Sequence, residues 1–206
     1  MHQTRQEVTT KIPIQRKGTK YVARALSNIK NSVPVVVAVR DMLKLARTST
    51  EVKKMINQKL LKINGRQVKN LRESIQLFNL FEADKPYILT LLPTGRFALQ
   101  ETKDKNQRIC KVVNKTLLKN NNIQLNLHDG TNIISKDKIR VGDSLCLDLS
   151  GKIKENIPLE NKKEVLIIKG KYLGLKGKIF AIEKNQISIQ LNDKKTTIDK
   201  SQVIAL

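Results

Sequence analysis

The chain has 206 residues, 39% of them hydrophobic and 3% aromatic with no tryptophan, so several small cores are expected rather than one large core or aromatic platforms for base stacking. Its 40 Lys and Arg against 18 Asp and Glu give a formal net charge of +22, a self-repulsion that a bound polyanion relieves while releasing counterions. Cys110 and Cys146 lie 36 positions apart with no C-x-x-C pair and only His2 and His128 as further soft ligands, which argues against a zinc site and a disulfide framework. No apolar run approaches the roughly 20 residues of a bilayer span, and no apolar stretch follows the N-terminal charges as in a secretory signal. The expectation is a cytosolic protein with reduced thiols and a nucleic-acid partner.

Charge is uneven along the chain. Residues 1–98 carry 19 basic and 6 acidic side chains, residues 99–160 carry 11 and 8, and residues 161–206 carry 10 and 4. Residues 1–32 are polar and basic, broken by Pro13 and Gly18, and hold too little apolar surface to offset their ordering entropy alone. Either they form a solvated tail or, as the rest of the chain favours, a basic arm that orders on RNA, with Arg16, Lys17 and Lys20 as contacts.

From Val33 the pattern changes. Pro34 suits a helix start, and Val35, Val36, Val39, Met42, Leu43 and Ala46 recur at helical spacing. The valine-rich opening also suits a strand, but the apolar face continues past position 40, which favours a helix with Arg40, Lys44 and Arg47 sharing another face. Thr48 and Glu51 have capping-box spacing, which predicts a second helix from about Ser49, burying Val52, Met55 and Ile56 and leaving Lys53, Lys54 and Lys59 outside. Asn64-Gly65 between two alternating segments predicts a two-residue hairpin with Arg66 just beyond its tip. Apolar runs at 75–81 and 87–92 fit strands or one more helical turn.

Between 99 and 160 the pattern is of short strands. Ile123, Leu125 and Leu127 alternate with Gln124, Asn126 and His128, and Asp129-Gly130 predicts a second type I′ turn. A further turn falls at Val141-Gly142-Asp143. In 161–206, five short strands in under fifty residues suggest a small barrel. Its opening loop, I-I-K-G-K-Y-L-G-L-K-G-K-I-F (167–180), sets Gly170, Gly174 and Gly177 among Lys169, Lys171, Lys176 and Lys178. The glycines suit positive φ or close backbone approach, or simply a hairpin loop, and the lysines are the expected RNA contacts.

Catalysis has no visible apparatus. Neither G-x-x-x-x-G-K-[ST] nor G-x-G-x-x-G occurs, His128 is expected to face solvent on its hairpin, and Asp129 is explained by its turn. No catalytic residue, metal site, cofactor, small-molecule substrate or membrane partner is expected. Against this, Arg40, Lys44, Arg47, Lys53, Lys54, Lys59 and Arg66 face only Asp41 and Glu51 in their stretch, which favours a phosphate-binding surface over merely solvated helix faces.

Residues 33–69, with V-R-D-M-L-K-L-A-R-T-S-T-E-V-K-K-M-I and K-I-N-G-R-Q-V, resemble the alpha-L RNA-binding motif. Together with K-I-P-I-Q-R-K-G-T-K-Y-V (11–22), T-G-R-F-A-L (94–99), Q-L-N-L-H-D-G-T-N-I (124–133), V-G-D-S-L (141–145) and the glycine loop, the chain is similar to small-subunit ribosomal protein four of the archaeal and eukaryotic type. The resemblance implies an α+β, multi-module fold: a basic arm (1–32), an alpha-L domain of helix pair and hairpin (33–98), a central antiparallel β domain (99–160) and a KOW barrel (161–206). It also implies a structural role in the small ribosomal subunit, in the cytoplasm, with small-subunit rRNA and neighbouring ribosomal proteins as partners. Ile12 beside Pro13 departs from the family's N-terminal tryptophan, while His2 and Arg5 keep its H-x-x-R spacing. The end at Leu206, just after the barrel, favours an archaeal source. The alternatives are an RNA-binding accessory factor of translation or transcription, or a non-catalytic relative of an RNA-modifying enzyme.

Overall fold

The valine run at 33–39 organises the first of the two units into which the chain divides, Met1–Asn106 and Gln107–Leu206. The computed structural model describes residues 2–104, 106–119, 122–191 and 194–206. The fold is mostly β, in several antiparallel sheets with short helices.

In the first unit, β1 (His2–Thr4) and β2 (Tyr21–Ala23) pair antiparallel, so the N-terminal segment carries local structure that its composition alone does not predict. The rest of the unit supplies what the segment lacks. Phe97 N–H donates to Lys11 O at 2.7 Å, Leu26 N–H to Arg72 O at 3.0 Å and Ser27 N–H to Ser74 Oγ at 2.9 Å, while Ile12, Val22 and Ala25 are buried. Arg5 closes the β1–β2 connection: its Nε donates to Thr19 O at 2.8 Å, Nη2 to Thr19 Oγ1 at 3.1 Å, and Nη1 to Gln15 O.

The valine run is both strand and helix. β3 (Ser32–Pro34) pairs with β6 (Ser74–Gln76), and α1 (Val35–Val37) follows with extended Pro34 as its N-cap. A π-helical turn, Ala38–Met42, completes the helical stretch. This corrects the longer helix expected through Ala46: the stretch stops at Met42, and Lys44 takes a positive φ of 58°. Val35 to Val39 are all buried, on every side of the helix, so the residues chosen as one amphipathic stripe belong to an element enclosed all round.

The second helix, α2 (Ser49–Asn57), starts where the capping signal placed it. Thr48 Oγ1 accepts from Glu51 N–H at 3.2 Å, Val52 and Ile56 are buried and Met55 is half-buried. Glu51 reaches one residue further back than expected, its Oε2 accepting from Arg47 N–H at 2.8 Å, and this bond holds its carboxyl below the usual range. The remaining strands, β4 (Lys62–Ile63), β5 (Arg66–Gln67), β7 (Leu80–Glu82), β8 (Pro86–Leu91) and β9 (Phe97–Glu101), form one sheet in the order β5-β4-β7-β8-β9. Asn64 and Gly65 both have positive φ, 50° and 77°, as a type I′ hairpin requires. The boundary expected between 98 and 99 falls inside β9, whose register with β8 runs from Leu91↔Phe97 to Tyr87↔Glu101.

The second unit holds two five-stranded sheets. β10 (Gln107–Leu117), β11 (Ile123–Leu127), β12 (Asn132–Ser135), β13 (Ser144–Asp148) and β14 (Ile153–Ile157) are ordered β12-β11-β10-β13-β14 around Val112, Leu125, Leu127, Leu145 and Leu147. β15 (Glu164–Ile167), β16 (Lys176–Ile182), β17 (Gln186–Leu191), β18 (Lys194–Asp199) and β19 (Val203–Ala205) are ordered β18-β17-β16-β15-β19, with a 3-10 turn, Lys200–Gln202, leading from one edge strand to the other.

The turn at Asp129-Gly130 is not type I′. Only Gly130 has positive φ, 80°, Gly130 N–H donates to Leu127 O at 3.1 Å and Leu127 N–H to Thr131 O at 3.0 Å. This is a three-residue loop with glycine in the left-handed position, and it leaves Asp129 free of the strain a two-residue turn imposes. Asp129 is instead buried against Arg108, and its Oδ1 accepts from the Thr131 N–H and hydroxyl.

Candidate nucleic-acid interface

The cations singled out in the sequence fall into three structural settings. Arg16, Lys17 and Lys20 are exposed on the connection between β1 and β2. Lys53 and Lys54 lie on the exposed face of α2, and Lys59, just past it, is exposed at a φ of 60°. Lys44 and Arg47 are exposed in the link between the helices. A shared face of Arg40, Lys44 and Arg47 needs a continuous helix, and the helical stretch ends before Lys44 is reached.

Two of the arginines singled out in the sequence have carboxylate partners. Arg40 donates from Nε to Asp41 Oδ1 at 2.9 Å and from Nη2 to Asp41 Oδ2 at 2.8 Å, a pairing that raises its pKa. Arg66 donates from Nη2 to Glu73 Oε2 at 2.7 Å, while Glu73 Oε1 accepts from Lys69 N–H at 2.7 Å and Asn70 N–H at 3.2 Å. Arg66 is therefore tied to the anchor of its own loop. Lys17 and Lys44 have no carboxylate partner among the described residues.

A cleft of about 660 Å³ opens between the β1–β2 connection and the helices. Pro13, Ile14, Tyr21 and Leu71 give it apolar lining, and Lys17, Lys44 and the Arg40–Asp41 pair line it as well. Sequence reasoning placed Lys17 and Arg40 in separate segments, because only the docking of the N-terminal hairpin joins them. It missed Tyr21, which is 49% exposed and has Lys20 Nζ 5.5 Å from its ring centroid.

In the sheet of β15 to β19, Lys169 and Lys171 are exposed in the loop after β15, and Lys176 and Lys178 are exposed on β16. The three glycines divide their tasks. Gly170 and Gly174 take positive φ, 90° and 84°, whereas a Cβ on Gly177 would meet Ile189 Cγ2 at 2.5 Å and Gln190 O at 2.8 Å. Lys178 stands opposite Glu164 on β15. Phe180, at a bulge between Ile179 and Ala181, is exposed, and Lys195 Nζ lies 3.9 Å from its ring centroid. Nothing in the sequence marked that pair, since Lys195 reaches Phe180 from β18, two strands away in the sheet.

Several interior polar groups of the second unit have structural partners, while the buried Arg108 Nε and Ser144 Oγ have no hydrogen-bond partner among the described residues. Lys111 is buried, its Nζ donating to Lys200 O and Val203 O, both at 2.7 Å, and burial followed by the nearby Lys169 charge lowers its pKa to about 8. Burial alone would raise Asp129, but the Thr131 hydroxyl and Arg108 outweigh it and hold its carboxyl below the usual range. Burial pushes the Cys110 thiol well up, and neither Cys110 nor Cys146 is in a disulfide. His128 is half-buried rather than solvent-facing, with its N–H donating to Lys111 O at 3.0 Å and its Nδ1 accepting from Lys111 N–H at 3.1 Å. Among the described residues no group of three His, Cys, Asp or Glu is placed to hold a metal ion.

Against known proteins, residues 83–153 match the model of the ribosomal family S4e. The chain is 32% identical over 178 residues to small ribosomal subunit protein eS4 of Methanocella arvoryzae, covering 83% of this chain and 76% of that protein. The chain belongs to the S4e family. The S4e protein of Methanothermobacter thermautotrophicus is 35% identical over 176 residues, covering 81% of this chain and 73% of its own. The crystal structure of the 30S ribosomal protein S4e from Thermoplasma acidophilum superposes with a TM-score of 0.74 at 26% identity, covering 85% of this chain and 95% of that one. The S4e match thus reaches across both units, and 83–153 takes in β8 and β9 of the first and β10 to β13 of the second.

Proposed function

We propose that this S4e chain is a structural, non-catalytic component of the small ribosomal subunit that binds small-subunit rRNA through basic surfaces. The observation that carries the reading is its match to small ribosomal subunit protein eS4 over about three quarters of those proteins' length, in a chain with a net charge of +22. That role puts the protein in the cytoplasm, with rRNA and neighbouring ribosomal proteins as its partners.

In the same reading the chain is a basic N-terminal segment followed by an alpha-L domain from 33 that keeps β9, a central β domain and a KOW barrel from 161. The capped α2 and the type I′ hairpin at Asn64-Gly65 support the alpha-L assignment, and the glycine-shaped loop with Lys169, Lys171, Lys176 and Lys178 supports the KOW assignment. Of the first-unit cations, Arg16, Lys17, Lys20, Lys44, Arg47, Lys53, Lys54 and Lys59 are exposed for phosphate contact, whereas Arg40 and Arg66 act through geometries set by Asp41 and Glu73.

The test is filter binding of the full chain to small-subunit rRNA and to tRNA at moderate salt. A clear preference for the rRNA is expected, with a slope of log affinity on log salt of roughly −4 to −5 if six phosphates are neutralised. Equal affinity for tRNA would overturn the assignment. Release of the protein from small subunits by a moderate salt wash would mark an accessory factor instead.

A further inference from the structure

The cleft of the first unit combines two chemistries that a phosphate backbone alone does not require. Phosphate contact asks for exposed cation, yet this cleft also has an apolar lining from Pro13, Ile14 and Leu71. Its volume of about 660 Å³ falls within the roughly 300–1,000 Å³ of small-ligand clefts.

The Arg40–Asp41 pair carries the argument further. Both bonds run from one edge of the guanidinium to the two oxygens of one carboxylate, so that edge is not available to grip a phosphate, and the adjacent carboxylate repels one. The pair is only partly exposed, at 35% and 29% of the two side chains, and lines the cleft. What such a clamped guanidinium offers is a fixed plane, and guanidinium planes stack on unpaired bases. Tyr21, in a chain with 3 Tyr, 4 Phe and no Trp, lines the same cleft with half its surface exposed. Lys17 and Lys44, also lining it, have no carboxylate partner among the described residues and are suited to phosphates.

We propose that this cleft receives one unpaired nucleotide of the bound RNA, its base stacking on the Arg40–Asp41 plane and its phosphates meeting Lys17 and Lys44. This rests on the RNA-binding reading above and adds to it that the RNA presents a base outside the helical stack, since the faces of a paired base are covered by its neighbours.

The test uses the full chain and two RNA probes, a duplex and the same duplex with a single bulged 2-aminopurine nucleotide. The bulged RNA is expected to bind about tenfold more tightly, the scale of one stacked base, with 2-aminopurine fluorescence quenched on binding. In Arg40→Lys, which keeps the charge and removes the plane, the ratio of the two affinities is expected to fall to about one. Lys17→Gln, remote from the Arg40–Asp41 pair in sequence, guards against a folding effect at Arg40 and is expected to weaken the bulged RNA more than the duplex. Equal wild-type affinity for the two probes overturns the cleft proposal while leaving RNA binding intact. Failure to bind either probe, or small-subunit rRNA, sinks the RNA reading itself. Saturable binding of free adenosine or guanosine monophosphate at micromolar concentration overturns the assignment to an RNA strand.

Discussion

The first unit leaves Lys17 and Lys44 lining an open cleft with no carboxylate partner of their own among the described residues, whereas the second draws Lys111 into its interior and holds it with two backbone carbonyls. The arginine pairs of the two units differ in the same way: Arg40–Asp41 in the first is partly exposed, and Arg108–Asp129 in the second is 6% and 1% exposed. If the first-unit cleft binds RNA as proposed, one side-chain chemistry serves recognition in one unit and internal cohesion in the other. Surroundings decide which, because an ion out of water needs every partner it can reach while an exposed one keeps its hydration.

The comparison predicts a ranking of effects. Arg108→Leu leaves Asp129 buried without its cation and is expected to cost about 3–5 kcal/mol in denaturant unfolding of the second unit. Lys111→Met removes two charge-assisted hydrogen bonds and is expected to cost about 1.5–3 kcal/mol at neutral pH. Lys111 has a folded pKa of about 8, below its ordinary 10.5. Between those values the unfolded chain holds a proton that the native chain has lost, so this group makes stability rise with pH from 8 toward 10.5. Urea titrations at several pH values should show that rise flattened in Lys111→Met.

Thr48→Ala, which deletes the α2 cap, is expected to cost about 1 kcal/mol in the first unit. The paired change Lys17→Gln with Lys44→Gln is expected to leave stability within about 0.5 kcal/mol, as surface substitutions do. Its effect is on binding, where the salt slope for small-subunit rRNA flattens by roughly 1.4–1.8 units. If that double variant unfolds as easily as Lys111→Met, the division between recognition and cohesion is wrong.

What was legible in the sequence is what is decided locally. Thr48 and Glu51, and Asn64-Gly65, act on backbone within a few residues, and the structure has both features. The short strands of 107–205 were legible from alternation for the same reason. The helix end at Met42 was not, because Val35 to Val39 are buried all round and their spacing carries no record of where the surrounding core stops. The Arg40–Asp41 bond was hidden by the rule that adjacent residues on a helix do not face each other, which long side chains in a π turn escape. The charge of 1–32 was plain, but its hairpin and the cleft depend on partners at 71–72 and 97, far along the chain.

The contacts of Lys111 also set an order of events during synthesis. Its carbonyl partners lie 89 and 92 residues downstream, on the 3-10 turn and on β19, and β19 pairs with β15 only after β16, β17 and β18 have been made. Until those residues leave the ribosome that is making the chain, β10 carries an ammonium group whose native acceptors do not yet exist. Separations this long slow folding. The sheet of β10 to β14 therefore lacks these two bonds until β19 is made, and a nascent chain arrested before residue 200 is expected to leave Lys111 open to water.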